Sequence, residues 1–456
     1  MVDTICAISS ATGEAGIGIV RMSGPLSIEI AEKIFRSKRN ISLTDIKNRF
    51  LSYGHIVDGN RVIDEVLIVK MLKPYTYTRE DLVEIYCHGG IISVRKILNL
   101  IIDKGARLAE KGEFTKRAFL NGRLDLSQAE AVIDLIKAKT DSSYEQSVKQ
   151  LEGRLTGLIS LIREKIMAMI SLIVANIDFP EDEIVEAQYE SLLEDAFEVK
   201  DDLFKLISGS DRGRLIRDGI NTVILGKPNV GKSSLLNAML KYERAIVTDI
   251  PGTTRDIIED YINLDGILLK ITDTAGIRET DDKVEQIGVE RAKKSIEDAD
   301  LIIALLDPSQ PFNDDDREII KLLDNKKTLI LLNKSDLKRK VSDEEIKDLL
   351  KDKKYMSVSI LEGSIEEIEN KIVEMFFQGQ IVGKEDFYVN NLRHVRALKD
   401  AYSSMESVID GIKRQEFLDL IEVDLRQALN ELGLITGETS TEDILDKVFK
   451  EFCIGK

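Results

Sequence analysis

The sequence predicts three architectures in one chain: an α/β P-loop domain inserted in an all-α helical domain, preceded by a small α+β N-terminal domain. Three observations predict it. The apolar run Val223-Ile-Leu enters Gly226-Lys-Pro-Asn-Val-Gly231-Lys232-Ser233 and leaves through a helical stretch, Leu235 to Leu240. Apolar residues recur at helical spacing before this motif, from Leu151 to Ile177, and after it, from Leu392 to Leu432. Residues 1–118 instead alternate short β-like runs with helical ones. The expected bounds are therefore 1–118, 119–213 for the first helical part, 214–379 for the inserted domain and 380–456 for the second helical part.

Length and composition fit globular domains with packed cores. The chain has 456 residues, 43% of them hydrophobic, and a net charge of −17. That charge argues against a nucleic-acid binder held by phosphate neutralisation alone. It is unevenly spread, because residues 1–120 hold 18 Lys+Arg against 14 Asp+Glu. An RNA would meet the N-terminal third more readily, with Arg36-Ser-Lys38-Arg39 a candidate patch and a solvated helix end the plainer reading. Cys6, Cys87 and Cys453 are scattered without metal-like spacing, which points to a reducing cytoplasm. No basic n-region followed by an apolar run marks a signal peptide, and Ile166 to Ile177 is too short to cross a bilayer, so no membrane association is expected.

In the N-terminal part, Ile17-Gly-Ile-Val-Arg21, Glu65 to Lys70 and the run Asp81 to Gly90 predict strands, and Ile91 to Asp103 predicts a helix stopped at Gly105. His55 and His88 lack a partnered nucleophile and read as structural. Arg21 and Glu84 are charges within apolar strands, where each needs solvent or a partner, and this makes them candidate ligand contacts. Further on, Gln128 to Gln150 predicts one helix, and Leu151, Leu155, Leu158, Ile162, Ile166, Met169, Ile173 and Ile177 mark one face of the next. Asp178-Phe-Pro180 breaks it, another helix runs to about Ser208, and Asp211 to Arg217 predicts a basic turn. Near the C-terminus, a turn at Gly437 and a Thr439-x-x-Glu442 capping box should begin the last helix.

The chemistry concentrates in the inserted domain. Glycines at 226 and 231 let backbone N–H groups curl around a phosphate at a helix N-terminus. Lys232 adds positive charge toward the outer phosphates, and the Ser233 hydroxyl is suited to Mg²⁺. Asn333-Lys334-Ser335-Asp336 follows a buried strand and favours guanine. The Asp336 carboxylate accepts from both the ring N–H and the exocyclic amine, whereas adenine would offer it an acceptor. Between the two motifs, Asp273-Thr274-Ala275-Gly276 supplies a carboxylate for the metal's water shell and a Gly N–H for the γ-phosphate. Thr254, in the segment Thr248-Asp249-Ile250-Pro251-Gly252-Thr253-Thr254, offers a second Mg²⁺ hydroxyl. These motifs in this order predict a GTPase. The residue after Gly276 is Ile277, which cannot orient water, so the acidic run Glu279, Asp281, Asp282, Glu285 supplies the candidates for that task. With no arginine finger evident, a bound cation is a candidate for its charge.

The motifs Gly-Lys-Pro-Asn-Val-Gly-Lys-Ser, Gly-Thr-Thr-Arg-Asp and Asp-Thr-Ala-Gly-Ile-Arg resemble those of the bacterial Era-like GTPases. Gly112 to Leu126, Ile-Asp-Phe-Pro at 177–180 and the terminal Phe-Cys-Ile-Gly-Lys resemble the MnmE (TrmE) family of tRNA-modification GTPases, along the whole chain. The resemblance implies a folate-binding-like N-terminal domain that also dimerises. It implies a cytoplasmic homodimer that acts on tRNA with the FAD-containing partner MnmG. Together they would place a 5-carboxymethylaminomethyl or aminomethyl group on the wobble uridine U34, using GTP and 5,10-methylene- or 5-formyl-tetrahydrofolate. It implies K⁺ held by Asn229, Thr248, Ile250 and Thr253, and Glu285 as the water-activating glutamate. It assigns Arg21, Glu84, Arg123 and Lys456 to the folate, Arg123 standing where some members carry Lys. GTP contacts fall on Asn229, Val230, Gly231, Lys232, Ser233, Ser234, the segment 248–254, residues 273–276, Asn333, Lys334, Ser335, Asp336, Ser357, Val358 and Ser359.

Cys453 is a candidate functional thiol, with an incidental or buried thiol the alternative; the final Lys456 and Gly455 argue against a prenylation box. Two other functions compete. An Era-like ribosome-assembly GTPase, an RNA-binding switch, would want a basic RNA-binding appendage, whereas this tail is acidic and helical. A membrane or trafficking switch would want a basic amphipathic helix or a lipid site.

Overall fold

The computed structural model describes residues 3–11, 13–178, 185–242, 259–264, 266–272, 295–323, 326–377, 387–452 and 454–455. These fall into two compact units. The first comprises Met1–Ile136, Gln150–Val199 and Asp400–Lys456, and the second Lys137–Lys149 and Lys200–Lys399.

The first unit contains a seven-stranded sheet in the order β3-β4-β5-β6-β2-β1-β7. Its strands are β1 (Ile5–Ile8), β2 (Gly18–Ser23), β3 (Phe35–Ser37), β4 (Ser52–Asp58), β5 (Arg61–Met71), β6 (Leu82–Cys87) and β7 (Arg107–Leu108). All neighbours are antiparallel except β1 and β7. Helices α1 (Ser27–Ile34) and α2 (Ile91–Asp103) bury Ile30, Ile34, Val94, Ile97 and Ile101 on the face that carries Cys6, Val20, Met22, Ile68, Val83 and Ile85. The α2 bounds match the sequence expectation. Burial pushes the Cys6 thiol up to about 12 and the Cys87 thiol up to about 11, so both are packing residues.

Helix α3 (Glu113–Leu120) is fixed to this sheet by charges. Arg117 is 1% exposed, and its guanidinium donates to Asp3 Oδ1 at 2.8 Å, to both Glu80 oxygens at 3.2 Å and to Glu113 Oε1 at 3.0 Å. Arg107 adds bonds of 2.7 Å to Asp3 and to Glu113. The hydrogen bond from Arg107 is the main cause that holds Asp3 below the usual carboxylate range. Burial alone would raise Glu113, but Arg107, the Glu110 N–H and Arg117 together bring it below that range.

Helices α4 (Leu126–Lys137), α5 (Asp141–Leu151) and α6 (Arg154–Asp178) correct the expectation of one helix from Gln128 to Gln150. Thr140 starts a new helix, because its Oγ1 accepts from Ser143 N at 3.2 Å. Gly153, at φ 88°, then separates α5 from α6 and removes Leu151 from the α6 stripe. In the first unit, Leu418–Thr436 packs along α6, where Arg163 donates to Leu429 O at 3.0 Å. Its end at Gly437, φ 91°, is as expected. The final helix, Glu442–Lys450, has Thr441 at its N-cap, and Thr439 Oγ1 instead donates back to Asn430 O at 2.9 Å. The expected capping box is therefore absent. Helix α7 (Val185–Ser208) ends as expected, whereas the predicted basic turn is helix α8 (Ser210–Asp218).

The second unit holds a six-stranded sheet in the order β13-β12-β11-β8-β10-β9. It comprises β8 (Ile220–Leu225), β9 (Glu259–Leu264), β10 (Ile267–Thr272), β11 (Leu301–Leu306), β12 (Thr328–Leu332) and β13 (Tyr355–Ser357). Only the β9–β10 pair is antiparallel. All six residues of β11 are buried, as an apolar strand with a core on each face requires. Helix α9 (Lys232–Tyr242) covers one face through Leu235 and Met239. Among the described residues no helix is long and apolar enough to cross a membrane.

Because breaking a buried ion pair leaves its partners uncompensated, Arg117→Met should cost about 3–5 kcal/mol at neutral pH. The depressed carboxyls contribute stability above their unfolded values, near 4, and lose it as pH falls through the folded ones. The difference from the parent should therefore shrink in acid. Urea unfolding followed by circular dichroism at neutral pH and near pH 3 measures both effects; equal stabilities at neutral pH would refute them.

Candidate functional site

The register of the parallel strands brings three loops together. Leu225 pairs with Ala304, and Leu306 pairs with Leu332, so β8, β11 and β12 end side by side. The residues that follow are Gly226, Asp307 and Asn333, at the carboxyl edge where open α/β sheets bind ligands.

Gly226 and Gly231 are required by contact as well as conformation. A Cβ on Gly226 would lie 2.7 Å from Leu305 O, and one on Gly231, at φ 109°, would run into the Asn333 amide. Between them Asn229 has φ 64°. The Lys232 ammonium donates to Gly226 O at 2.5 Å and Lys227 O at 2.8 Å, and burial lowers its pKa. An anion replacing those neutral carbonyls would favour the charged form. Val230 is buried, whereas Ser233 and Ser234 are exposed on the first turn of α9.

The Asn333 loop clasps this one. Asn333, 3% exposed, donates from Nδ2 to Val230 O at 2.8 Å and accepts Ile360 N on Oδ1 at 3.2 Å. Lys334, at φ 63°, donates to Asn229 O at 2.9 Å and to Asp307 Oδ2 at 2.7 Å. Burial would raise Asp307, but Lys334 and Ser309 hold it below its ordinary value. Asp336 is exposed, and its Oδ1 accepts from Ser359 Oγ at 2.7 Å, leaving Oδ2 toward solvent or a base.

Not every expected residue converges here. Val358 is 1% exposed and serves by its backbone, its carbonyl accepting Ser335 N at 3.1 Å. The Ser357 hydroxyl accepts from Arg339 at 3.1 Å. Asp307 and Ile360 touch Lys334 and Asn333 but were absent from the sequence reading. The Asp-Pro-Ser that follows the apolar run Leu301 to Leu306 is the signal that could have found Asp307. Thr248, Asp249, Ile250, Pro251, Gly252, Thr253, Thr254, Asp273, Thr274, Ala275, Gly276, Glu285, Cys453 and Lys456 lie outside the described residues.

A second cluster lies in the first unit. Arg21 and Glu84 face each other across β2 and β6 and pair at 2.7 Å, so the two strand charges satisfy one another. Glu84 Oε2 also accepts from Tyr86 at 2.6 Å. Arg21 lies 5.8 Å from the Tyr77 ring and Arg123 4.6 Å, the latter also donating to Tyr77 O at 3.2 Å. Arg21, paired with Glu84, and Arg123 thus both lie near Tyr77, which the sequence reading did not single out. The C-terminal tail reaches the same sheet: Ile454 bridges to Lys111, and Ser9 Oγ donates to Gly455 O at 3.2 Å, two residues beyond Ala7, which pairs with Arg21. His88 instead bonds Asp64 Oδ1 at 2.6 Å, and the other oxygen of that carboxylate accepts from Ser93 Oγ, so Asp64 and not the imidazole holds the hydroxyl.

Residues 126–453 match the family model described as MnmE helical domain, and residues 4–123 match that described as GTP-binding protein TrmE N-terminus. The chain is 54% identical to a tRNA modification GTPase MnmE of Finegoldia magna, over 100% of both chains. It is 51% identical to that of Alkaliphilus oremlandii, over 100% of this chain and 99% of the relative. A solved Era from Aquifex aeolicus bound to GDP·AlF4⁻ is similar over 41% of this chain and 66% of its own, at 27% identity and a TM-score of 0.27.

If Asp336 reads a purine edge by accepting two N–H groups, Asp336→Asn replaces an acceptor with a donor and should lower affinity for GTP at least about 10²-fold. The same change should improve xanthosine triphosphate, which presents a carbonyl in place of the amine. Unchanged GTP binding in competition titrations would refute the assignment.

Proposed function

Because the chain belongs to the MnmE (TrmE) family of tRNA modification GTPases, we propose that it hydrolyses GTP to drive formation of the 5-carboxymethylaminomethyl or aminomethyl group at wobble uridine U34 of certain tRNAs. It does so as a cytoplasmic homodimer with the FAD-containing MnmG, taking the one-carbon unit from 5,10-methylene- or 5-formyl-tetrahydrofolate. The observation that supports the GTPase half is the clasp of Asn333 and Lys334 onto Val230 and Asn229, which ties the loop after β12 to the loop 226–233.

In this reading the loop 226–233 receives the phosphates, and Lys232 exchanges its two carbonyl partners for phosphate oxygens. Asn333 braces the loop, and Asp336, oriented by Ser359, accepts from guanine. The exposed Ser233 hydroxyl at the start of α9 fits a Mg²⁺ ligand, with Thr254 as its second hydroxyl. Asn229 is exposed, with its own carbonyl taken by Lys334, which leaves the side-chain amide to serve as a K⁺ ligand; Thr248, the Ile250 carbonyl and Thr253 would be the others. Such ions would supply positive charge to the phosphate oxygens. Glu285 accepts the proton of the attacking water, giving GDP and phosphate.

The Tyr77 cluster supports the folate half. Glu84 Oε1 takes both Nε and Nη2 of Arg21 at 2.7 Å and Oε2 accepts from Tyr86, which leaves a lone pair on Oε2 for an N–H donor of a pterin edge. Arg21 and Arg123 offer cations near the Tyr77 ring for carbonyl or carboxylate groups, with Lys456 a further contact in this reading.

Mass spectrometry of tRNA nucleosides from a strain lacking the gene tests the whole reading. The wobble modification should disappear, return with the parent gene and fail to return with Glu285→Ala. The purified variant should retain GTP affinity while single-turnover hydrolysis falls roughly 10²–10⁴-fold, and the parent should be faster in K⁺ than in Na⁺ at matched ionic strength. Unchanged wobble uridines would instead favour a ribosome-assembly switch.

A further inference from the structure

The phosphate loop carries a second lysine that nucleotide binding leaves unused. Lys227 sends its ammonium to Asp316 Oδ2 at 2.5 Å and Asn313 Oδ1 at 3.2 Å. Asp316 belongs to the helix Asp314–Lys321 and is 1% exposed. The same Oδ2 accepts Asn313 N at 2.9 Å in a capping box, so the carboxylate is fixed by its own helix start. Oδ1 is buried without a hydrogen-bond partner among the described residues, which leaves Lys227 as the cation that compensates this charge. The main chain of Lys227 has a different task, because its carbonyl is one of the two that hold Lys232. One residue therefore ties the phosphate-facing lysine to a buried anchor.

We propose that Asp316 is a positioning residue for guanine-nucleotide binding, acting through Lys227 to hold the phosphate loop in its receiving conformation without touching the nucleotide. The proposal rests on the GTPase reading above. Asn229 and Gly231 both sit at positive φ, a backbone shape that a free loop would leave and that binding would otherwise have to restore. The anchor removes that ordering cost. The loop serves the phosphates common to GDP and GTP, so losing the anchor weakens both equally. A merely structural ion pair would lower the thermal midpoint and move neither affinity.

The test is equilibrium binding of fluorescent GDP and GTP to the full chain. Asp316→Asn keeps an oxygen for the capping box but discards the charge. Asp316→Asn and Lys227→Met should each raise both dissociation constants about tenfold, the double variant should be no worse than the weaker-binding single, and Lys227→Arg should stay within about twofold of the parent. Should Asp316→Asn fail to fold, Lys227→Met carries the test, since that side chain is 18% exposed. Folded variants that bind both nucleotides like the parent overturn the anchor alone. A parent that binds neither nucleotide overturns the GTPase reading and the anchor with it.

Discussion

The Asn333 amide is the contact on which the nucleotide site depends. Its strand β12 and the phosphate-loop strand β8 are separated by β11, so the two loops can meet only above the end of Leu306. A bond of 2.8 Å to Val230 O closes that gap, and the return bond from Ile360 N draws in the loop after β13. Both groups of the amide are used and buried, so no other side chain of that size replaces it. The close approach in turn excludes any side chain at position 231. Lys334 and Asp307 add a second tie from the central strand to the same loop.

How much of this was legible in the sequence depends on whether a feature is local. The phosphate loop, the Asn-Lys-x-Asp loop and their strands are each written in a few adjacent residues, and so is α2, with its apolar spacing and Gly105. The break at Thr140 was missed because a single threonine cap weighs little against the helical pattern on either side. The box expected from Thr439 to Glu442 lost to a tertiary bond from Thr439 to Asn430 O. The burial of Arg117 could not be read. Glu113 is four residues back on the same helix, but Asp3 and Glu80 join it only when the sheet brings β1 beside α3.

The same division holds for the Tyr77 cluster. Arg21 and Glu84 attracted notice as charges in apolar strands, and their pairing follows from the β2–β6 register. Tyr77 carries no such anomaly, since a tyrosine in a turn needs no special account; only its closeness to two guanidinium groups marks it. The two clusters lie in different compact units, so this tRNA modification GTPase has its proposed nucleotide site and its proposed one-carbon site on separately built frameworks.

The most direct measurement is the affinity of Asn333→Ala for GTP. That substitution removes two buried hydrogen bonds and leaves Val230 O and Ile360 N unsatisfied, which at 1–3 kcal/mol each corresponds to a loss of about 10²-fold or more. The account predicts that loss in a chain whose circular dichroism matches the parent. A folded Asn333→Ala chain that binds GTP within about twofold of the parent would contradict it.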